Sequence, residues 1–390
     1  MNVYKINSIL LNFYLYLNAI SLLFSPLIND FIIKNTLLFM MIGTCLLLNK
    51  FKFNMFFLVY ITSLVTYVLL NALLVSEKGY ALADGYNLIL YSFIPVYLFS
   101  QSLLKIETLL YYWYKFSLGF TFLIPIYYLL RIKGYISYYD LGLVAHLNII
   151  IQSYNIFSSA THRKLPKYLL LFLNLVVVGV LGSRLVFLSS VLSIFLIYFL
   201  FVKKKSFKFF FSVISLTSIS LIIYLNLIKI LIFINSTINE MGLNSRNLTM
   251  FIAQLQGRYD DTTIVSGRDN IYPVILEYLK DHWFFPSGFG VARKLTNGAY
   301  YHSHNFILEL LLIFGGMGLI LFILGIIHRI YIVMSYDVNR EKWRILIILF
   351  FSFFLRSLMG THFVSDVIFL MSLGIFFSIK KETNQEIIIK

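Results

Sequence analysis

The chain has 390 residues, 59% hydrophobic, 18% aromatic and 13% charged, with a net charge of +15. A soluble domain is nearer half apolar and a quarter charged, so an ordinary soluble fold is excluded. The positive balance would point to nucleic acid in a soluble protein, but here much of it lies in short loops between apolar runs, and no nucleic-acid partner is expected.

The runs fall at 6–24, 31–49, 53–75, 86–104, 113–130, 140–159, 168–183, 185–202, 209–234, 303–327, 345–360 and 362–379. Each is close to the roughly twenty residues needed to cross about 30 Å of hydrocarbon. They predict an all-α polytopic membrane protein with about twelve transmembrane helices, its partner being the lipid bilayer. The first run is followed by Phe24-Ser25-Pro26-Leu27 rather than a small-residue cleavage site, so it reads as a first helix and not a removed signal. The abundant Tyr and Phe suit the lipid interface. The lone cysteine, Cys45, lies inside a run, so no intramolecular disulfide and no cysteine metal site is expected.

Basic residues mark alternate loops: Lys50 and Lys52; Lys105 and Lys115; Arg163, Lys164 and Lys167; Lys203, Lys204, Lys205 and Lys208; Arg329, Arg340, Lys342 and Arg344; Lys380 and Lys381. Positive loops stay inside, which predicts both termini in the cytoplasm and places 235–302 outside. We therefore expect one transmembrane domain over 1–390 with one external loop at 235–302. That loop is short for a core of its own. Within it Ile271, Val274, Ile275, Tyr278, Leu279 and His282 recur at helical spacing, with Glu277, Lys280 and Asp281 on other faces. This predicts an amphipathic helix on the membrane surface, with Pro273 near its first turn.

Irregular backbone and ionisable groups mark functional regions in membrane proteins, and several such residues stand out. Arg184, in Gly182-Ser183-Arg184, sits at the outer junction of two apolar runs. It either snorkels to headgroups or offers a fixed guanidinium to phosphate. External loops need no positive charge for topology, so Arg246, Arg258, Arg268 and Arg293, with Lys294 beside the last, suggest an anionic ligand, with internal salt bridges as the plainer alternative. Arg268 stands out because it precedes the surface helix, whose N-terminus is itself an anion site. His304 opens the tenth run, and a histidine can accept a proton near neutral pH; an interfacial polar residue is the plainer reading. His302 is the competing base, and Asn305 could orient the ring or bind a hydroxyl. Gly315, Gly316 and Gly318 read as helix-packing glycines. Arg356, His362 and Asp366 bracket the last outer turn as further candidates to line the same cavity, whereas His146 reads as a satisfied core histidine. No HExxH, GxSxG or Walker-type loop is present.

The order of these motifs carries a resemblance. Gly182-Ser183-Arg184, then Ser266-Gly267-Arg268 before a short helix, Phe285-Pro286-Ser287-Gly288-Phe289-Gly290, and His304-Asn305 leading into a Gly-Gly-Met-Gly helix resemble the O-antigen polymerase and O-antigen ligase superfamily. The motifs span about residues 182–318. The resemblance implies a C-type membrane glycosyltransferase fold in a bacterial inner membrane, acting on an undecaprenyl-diphosphate-linked glycan donor and an acceptor sugar hydroxyl. It implies that Arg184 and Arg268 hold the diphosphate and that His304 takes the acceptor's proton. Arg258, Arg293, His302, Asn305 and Arg356 are further substrate-binding candidates. Guanidinium groups can stabilise the departing diphosphate, so no metal and no cofactor is expected. The resemblance implies a polymerase of O-antigen or capsular polysaccharide repeat units, with a ligase of finished polymer to lipid A core as the alternative; a chain-length regulator as partner is left open. A lipid-linked glycan flippase would suit the helix count, but the candidates gather at one face.

Overall fold

A computed structural model describes residues 2–74, 78–158, 165–181, 184–201, 227–240, 249, 252–253, 256, 268–335, 340–358, 360 and 362–378. Among these residues the regular structure is helical. The chain divides into two compact units, one of Met1–Gly119 and Asn270–Lys390, the other of Phe120–Asp269.

The helices are α1 (Val3–Leu15), α2 (Leu17–Leu23), α3 (Asp30–Leu48), α4 (Met55–Leu74), α5 (Lys78–Ser100), α6 (Ile106–Ile132), α7 (Tyr138–Ser158), α8 (Leu165–Leu181), α9 (Arg184–Phe201), α10 (Leu227–Glu240), α11 (Arg268–His282), α12 (Val291–Leu295), α13 (Phe306–Ser335), α14 (Arg340–Ser357) and α15 (Val367–Ser378). Five of them, α3 to α6 and α13, are long and apolar enough to cross a membrane, and α1 with α2 makes a sixth, bent by 63°. Shorter apolar helices lie at 165–179, 185–201 and 367–378. The protein is thus an all-helical polytopic membrane protein. The predicted run at 209–234 falls mostly outside the described residues; α10 covers its end.

In the larger unit α5 is the central element, packed by α4 on one side and α15 on another. Pro95 lies inside α5. A proline has no N–H, so the carbonyl four residues earlier, that of Tyr91, loses its helical donor. The hydroxyl of Tyr14, fully buried on α1, donates to that carbonyl at 2.8 Å. An unpaired carbonyl in hydrocarbon costs several kcal/mol, so Tyr14 offsets the proline. Gly374 of α15 meets α5 at the same place: a Cβ there would lie 2.8 Å from the Pro95 carbonyl oxygen. Nearer the helix ends, Asn7 and Asn49 exchange side-chain hydrogen bonds at 3.0 and 3.1 Å.

The smaller unit carries its own buried polar cluster. Asn148 and Gln152 of α7 and Asn174 of α8 surround the Thr121 hydroxyl of α6 at 3.0–3.2 Å. His146 is fully buried, with Nδ1 2.7 Å from the Ser190 hydroxyl, and so is a satisfied core histidine. Such side-chain bonds hold helices together where apolar contact alone does not discriminate protein from lipid.

The amphipathic helix predicted in the loop is α11. Ile271, Ile275 and Leu279 are buried, and pack with Val291, Ala292 and Leu312. Burying each such side chain contributes about 1.5–3 kcal/mol. The buried stripe is narrower than the sequence suggested, since Val274 is exposed and the His282 ring lies stacked on Tyr278. What covers the helix is therefore the protein's own α12 and α13.

Candidate active site

The site is built around a break in α13. Gly315 has φ 69° and ψ 176°, a conformation only glycine adopts readily, and it interrupts the helix. The exposed polar groups at the break are taken up by the segment after α11. Gly316 N–H donates to the Trp283 carbonyl at 2.6 Å and Met317 N–H to the Phe284 carbonyl at 3.1 Å. In return the Leu312 carbonyl accepts from the Ser287 and Gly288 amides at 3.0 and 3.1 Å. The Tyr67 hydroxyl of α4 donates to the Ile313 carbonyl. Irregular backbone at membrane depth is tolerated only when its polar groups are met in this way. Gly315 and Gly316, expected to be helix-packing glycines, instead admit the segment after α11, Gly315 its backbone at Phe284 and Phe285 and Gly316 the Trp283 ring.

From there the chain is pinned to the helices from the first part of the sequence. Asn71 of α4 accepts the Phe289 amide at 2.9 Å. Gly290, at φ 75°, starts α12, and a Cβ there would sit 2.5 Å from Tyr80 Cβ. Arg293 on α12 stacks 3.7 Å over the Tyr301 ring and 4.6 Å over the Tyr80 ring. Its guanidinium also reaches Asp84 Oδ1 of α5 at 3.4 Å, and the Tyr301 hydroxyl donates to that same oxygen at 2.9 Å. Burial and the neighbouring Asp84 carboxylate push the Tyr301 hydroxyl pKa up, which keeps it a donor. Asp84 is 1% exposed.

The turn 302–305 follows, ahead of α13 rather than within it. Asn305 caps the helix: its side-chain oxygen accepts from the Ile307 and Leu308 amides at 3.0 and 3.2 Å. His304 is held at φ 57°, in the left-handed region, which histidine tolerates better than most residues but rarely occupies. The turn is fixed from behind by Glu309, one helical turn on, whose Oε2 accepts the Ser303 amide at 2.7 Å.

Three imidazoles meet at this turn. The His302 ring centroid is 4.2 Å from that of His304 and 5.0 Å from that of His362, nearly parallel to the latter at 17°. His362, from the chain between α14 and α15, puts Nε2 3.5 Å from Glu309 Oε1. His302 Nε2 lies 3.3 Å from the Gly360 carbonyl, an acceptor only, which assigns the ring proton to Nε2 and leaves a lone pair on Nδ1. Burial above all, then the charges of His362 and His304, pushes the His302 pKa down to about 3, so the ring is neutral at physiological pH. A neutral imidazole beside His304 is an environment in which a proton can be received and shared.

The structure thus brings together His302, His304 and Asn305 with Arg293 nearby. Asn305 serves as helix cap and Arg293 is already paired. Arg356 is 1% exposed and its guanidinium lies 2.9 Å from Asp366 Oδ2, while Asp366 also caps α15 through the Ile368 and Phe369 amides at 3.0 and 2.9 Å. Arg356 is therefore part of a buried ion pair and not a cavity-lining group. Arg184 opens α9 and Arg268 opens α11; their side chains, and Arg258 altogether, lie outside the described residues. Sequence reading missed Asp84 and Glu309. The signal was there, because both are carboxylates within or beside apolar runs, where an ionisable residue is costly without a role. Among the described residues, no group of three or more His, Cys, Asp or Glu is arranged to hold a metal ion.

Apolar helices of spanning length, one of them broken and filled by an ordered loop, define a polytopic membrane protein with its ionisable side chains gathered at a helix mouth. Residues 169–323 match the family described as O-antigen ligase. The matched segment contains Arg184, Arg258, Arg268, Arg293, His302, His304, Asn305 and Glu309; Arg356 lies beyond it. No curated protein matches the chain in sequence.

Proposed function

We propose that the protein is a polymerase that joins undecaprenyl-diphosphate-linked repeat units into O-antigen or capsular polysaccharide at the outer face of the cytoplasmic membrane of a bacterium, with both termini in the cytoplasm. His304 is the general base. It takes the proton from the acceptor sugar hydroxyl as that oxygen attacks the donor's anomeric carbon and the diphosphate departs with its electron pair. Arg184 and Arg268 hold the diphosphate, and no metal is required. The observation that carries this reading is His304 itself, presented on a left-handed turn against a neutral His302 at the mouth of a broken helix. A side chain held in an unfavourable backbone region by its surroundings is a mark of a functional site.

A second reading is favoured by the matched family's description: a ligase that moves finished polymer onto lipid A core or another acceptor. The donor chemistry is shared and only the acceptor differs. One experiment separates the two. The gene is deleted, then complemented with wild type, His304→Ala or Arg268→Ala, and surface polysaccharide is resolved on gels. A polymerase predicts that deletion leaves single repeats in place of the ladder, that wild type restores the ladder, and that neither variant does. Polymer accumulating on the lipid diphosphate carrier instead identifies the ligase. A full ladder from either variant, expressed at wild-type level, refutes the mechanism.

A further inference from the structure

Glu309 has no part in the mechanism so far, yet it touches both supports of the base. One oxygen holds the Ser303 amide at 2.7 Å, the residue immediately before His304. The other lies 3.5 Å from His362 Nε2, and His362 stacks on His302, which in turn lies against His304. Glu309 is 5% exposed. A buried carboxylate is retained only where its charge is matched, and here the matching group is an imidazole in contact with the imidazole next to the base. The other charged groups around the stack are matched elsewhere: Asp84 with Arg293 and Tyr301, Asp366 with Arg356. Tyr301 lies edge-on to His362, and Tyr300 edge-on to His304. Asp84 also lies within electrostatic range of His362 and Glu309.

We propose that Glu309 and His362 form a carboxylate–imidazole pair that positions the His304 turn and sets the electrostatic environment of the base, so that the two act on His304 in opposite senses. This rests on the reading of His304 as general base. When His304 takes the acceptor's proton it becomes a cation beside two other imidazoles. The Glu309 carboxylate stabilises that cation, whereas His362, by holding the carboxylate through its Nε2, draws the negative charge away from it. Neither residue touches the reacting atoms; both are positioning residues.

The opposed signs give a test that a structural role does not reproduce. The protein is purified and reconstituted in phospholipid vesicles with undecaprenyl-diphosphate-linked repeat units taken from the deletion strain. Initial polymerisation rates are then followed across pH. The acid limb of the profile reports deprotonation of the base. Glu309→Gln keeps an acceptor for the Ser303 amide and removes the negative charge. It should move the acid limb to lower pH by about one unit and lower the saturated rate about tenfold or more, with half-saturation little changed. His362→Gln removes the imidazole that holds the carboxylate, leaves the Glu309–Ser303 bond in place, and should move the limb to higher pH. If Glu309→Gln does not accumulate, the upward movement in His362→Gln decides alone. Unmoved limbs, or limbs moving the same way, overturn the inference while an inactive His304→Ala leaves the proposed function standing. A fully active His304→Ala overturns both.

Discussion

Replacing Gly315 with alanine tests whether the loop truly completes the broken helix. The residue's φ of 69° and ψ of 176° lie where an L side chain is strained, at about 1–3 kcal/mol. The new Cβ would also press on the Phe284 carbonyl oxygen and lie 2.5 Å from the Phe285 carbonyl carbon. These are backbone atoms, so they yield only if the loop retreats. Retreat breaks the Gly316–Trp283 and Met317–Phe284 hydrogen bonds, each worth about 0.5–1.5 kcal/mol net. The expected loss is therefore about 2–6 kcal/mol. Gly325→Ala, lower on the same helix, is the control: nothing lies within 4 Å of its added Cβ, and no left-handed backbone is required there. Alanine there gains helix propensity. The assay is the temperature at which half of the detergent-solubilised protein leaves the monodisperse peak after heating. Gly315→Ala should lose this midpoint clearly and Gly325→Ala should hold or raise it. Equal midpoints would refute the account of the break.

Two further predictions concern buried charge. Arg356→Ala leaves Asp366 buried and unpaired, which should cost about 3–5 kcal/mol. Arg356→Met combined with Asp366→Asn keeps a cap for α15 and should recover most of the heat midpoint; an Arg356→Ala protein of wild-type stability that makes no ladder would return Arg356 to the substrate contacts. The second is a pH effect. The His302 pKa falls to about 3 in the folded protein from 6.5. Between these values the unfolded chain binds more protons than the folded one, so this group's contribution is fully present above pH 6.5 and is lost as pH falls, at about 1.4 kcal/mol per unit. Stability measured from pH 7 down to 4 should therefore decline more steeply for wild type than for His302→Gln; equal slopes would show that His302 is not held neutral by the fold.

The helical membrane fold was legible because each apolar run needs only length and composition to declare itself. The loop helix was legible too, since Ile271, Ile275 and Leu279 repeat at the helical period and do form its buried stripe. The partner of that stripe was not, because amphipathicity names a face and not what covers it: lipid surface and protein look alike in sequence. The glycines of α13 show the same limit. A Gly-Gly-Met-Gly segment fits close helix packing or a chain break equally well, and only the backbone of Trp283 and Phe284 arriving from the preceding segment decides between them. Asn305, adjacent to His304, drew a chemical reading, whereas its place just before Phe306 makes it a helix cap. The partners of Asp84 were invisible for another reason: Arg293 and Tyr301 lie more than two hundred residues on, and pairing over that span leaves no local pattern.

The pairing of charge also bears on where an anionic substrate can be held. A diphosphate needs guanidiniums whose charge is not already spent. Arg293 faces Asp84, and Arg356 faces Asp366 at 2.9 Å. A phosphate brought to either would be set beside a buried carboxylate, a like-charge contact that raises the cost of binding. Near His304, then, the described groups are of the kind the proposed proton transfer needs: a neutral His302, a carboxylate–imidazole pair, and a tyrosine held as a donor by Asp84. The charge of the leaving group has to be met by other cations, which is the role proposed for Arg184 and Arg268. On this division of labour, replacing an arginine of the second kind should weaken donor binding, whereas replacing a residue around His304 should slow proton removal from an acceptor already bound.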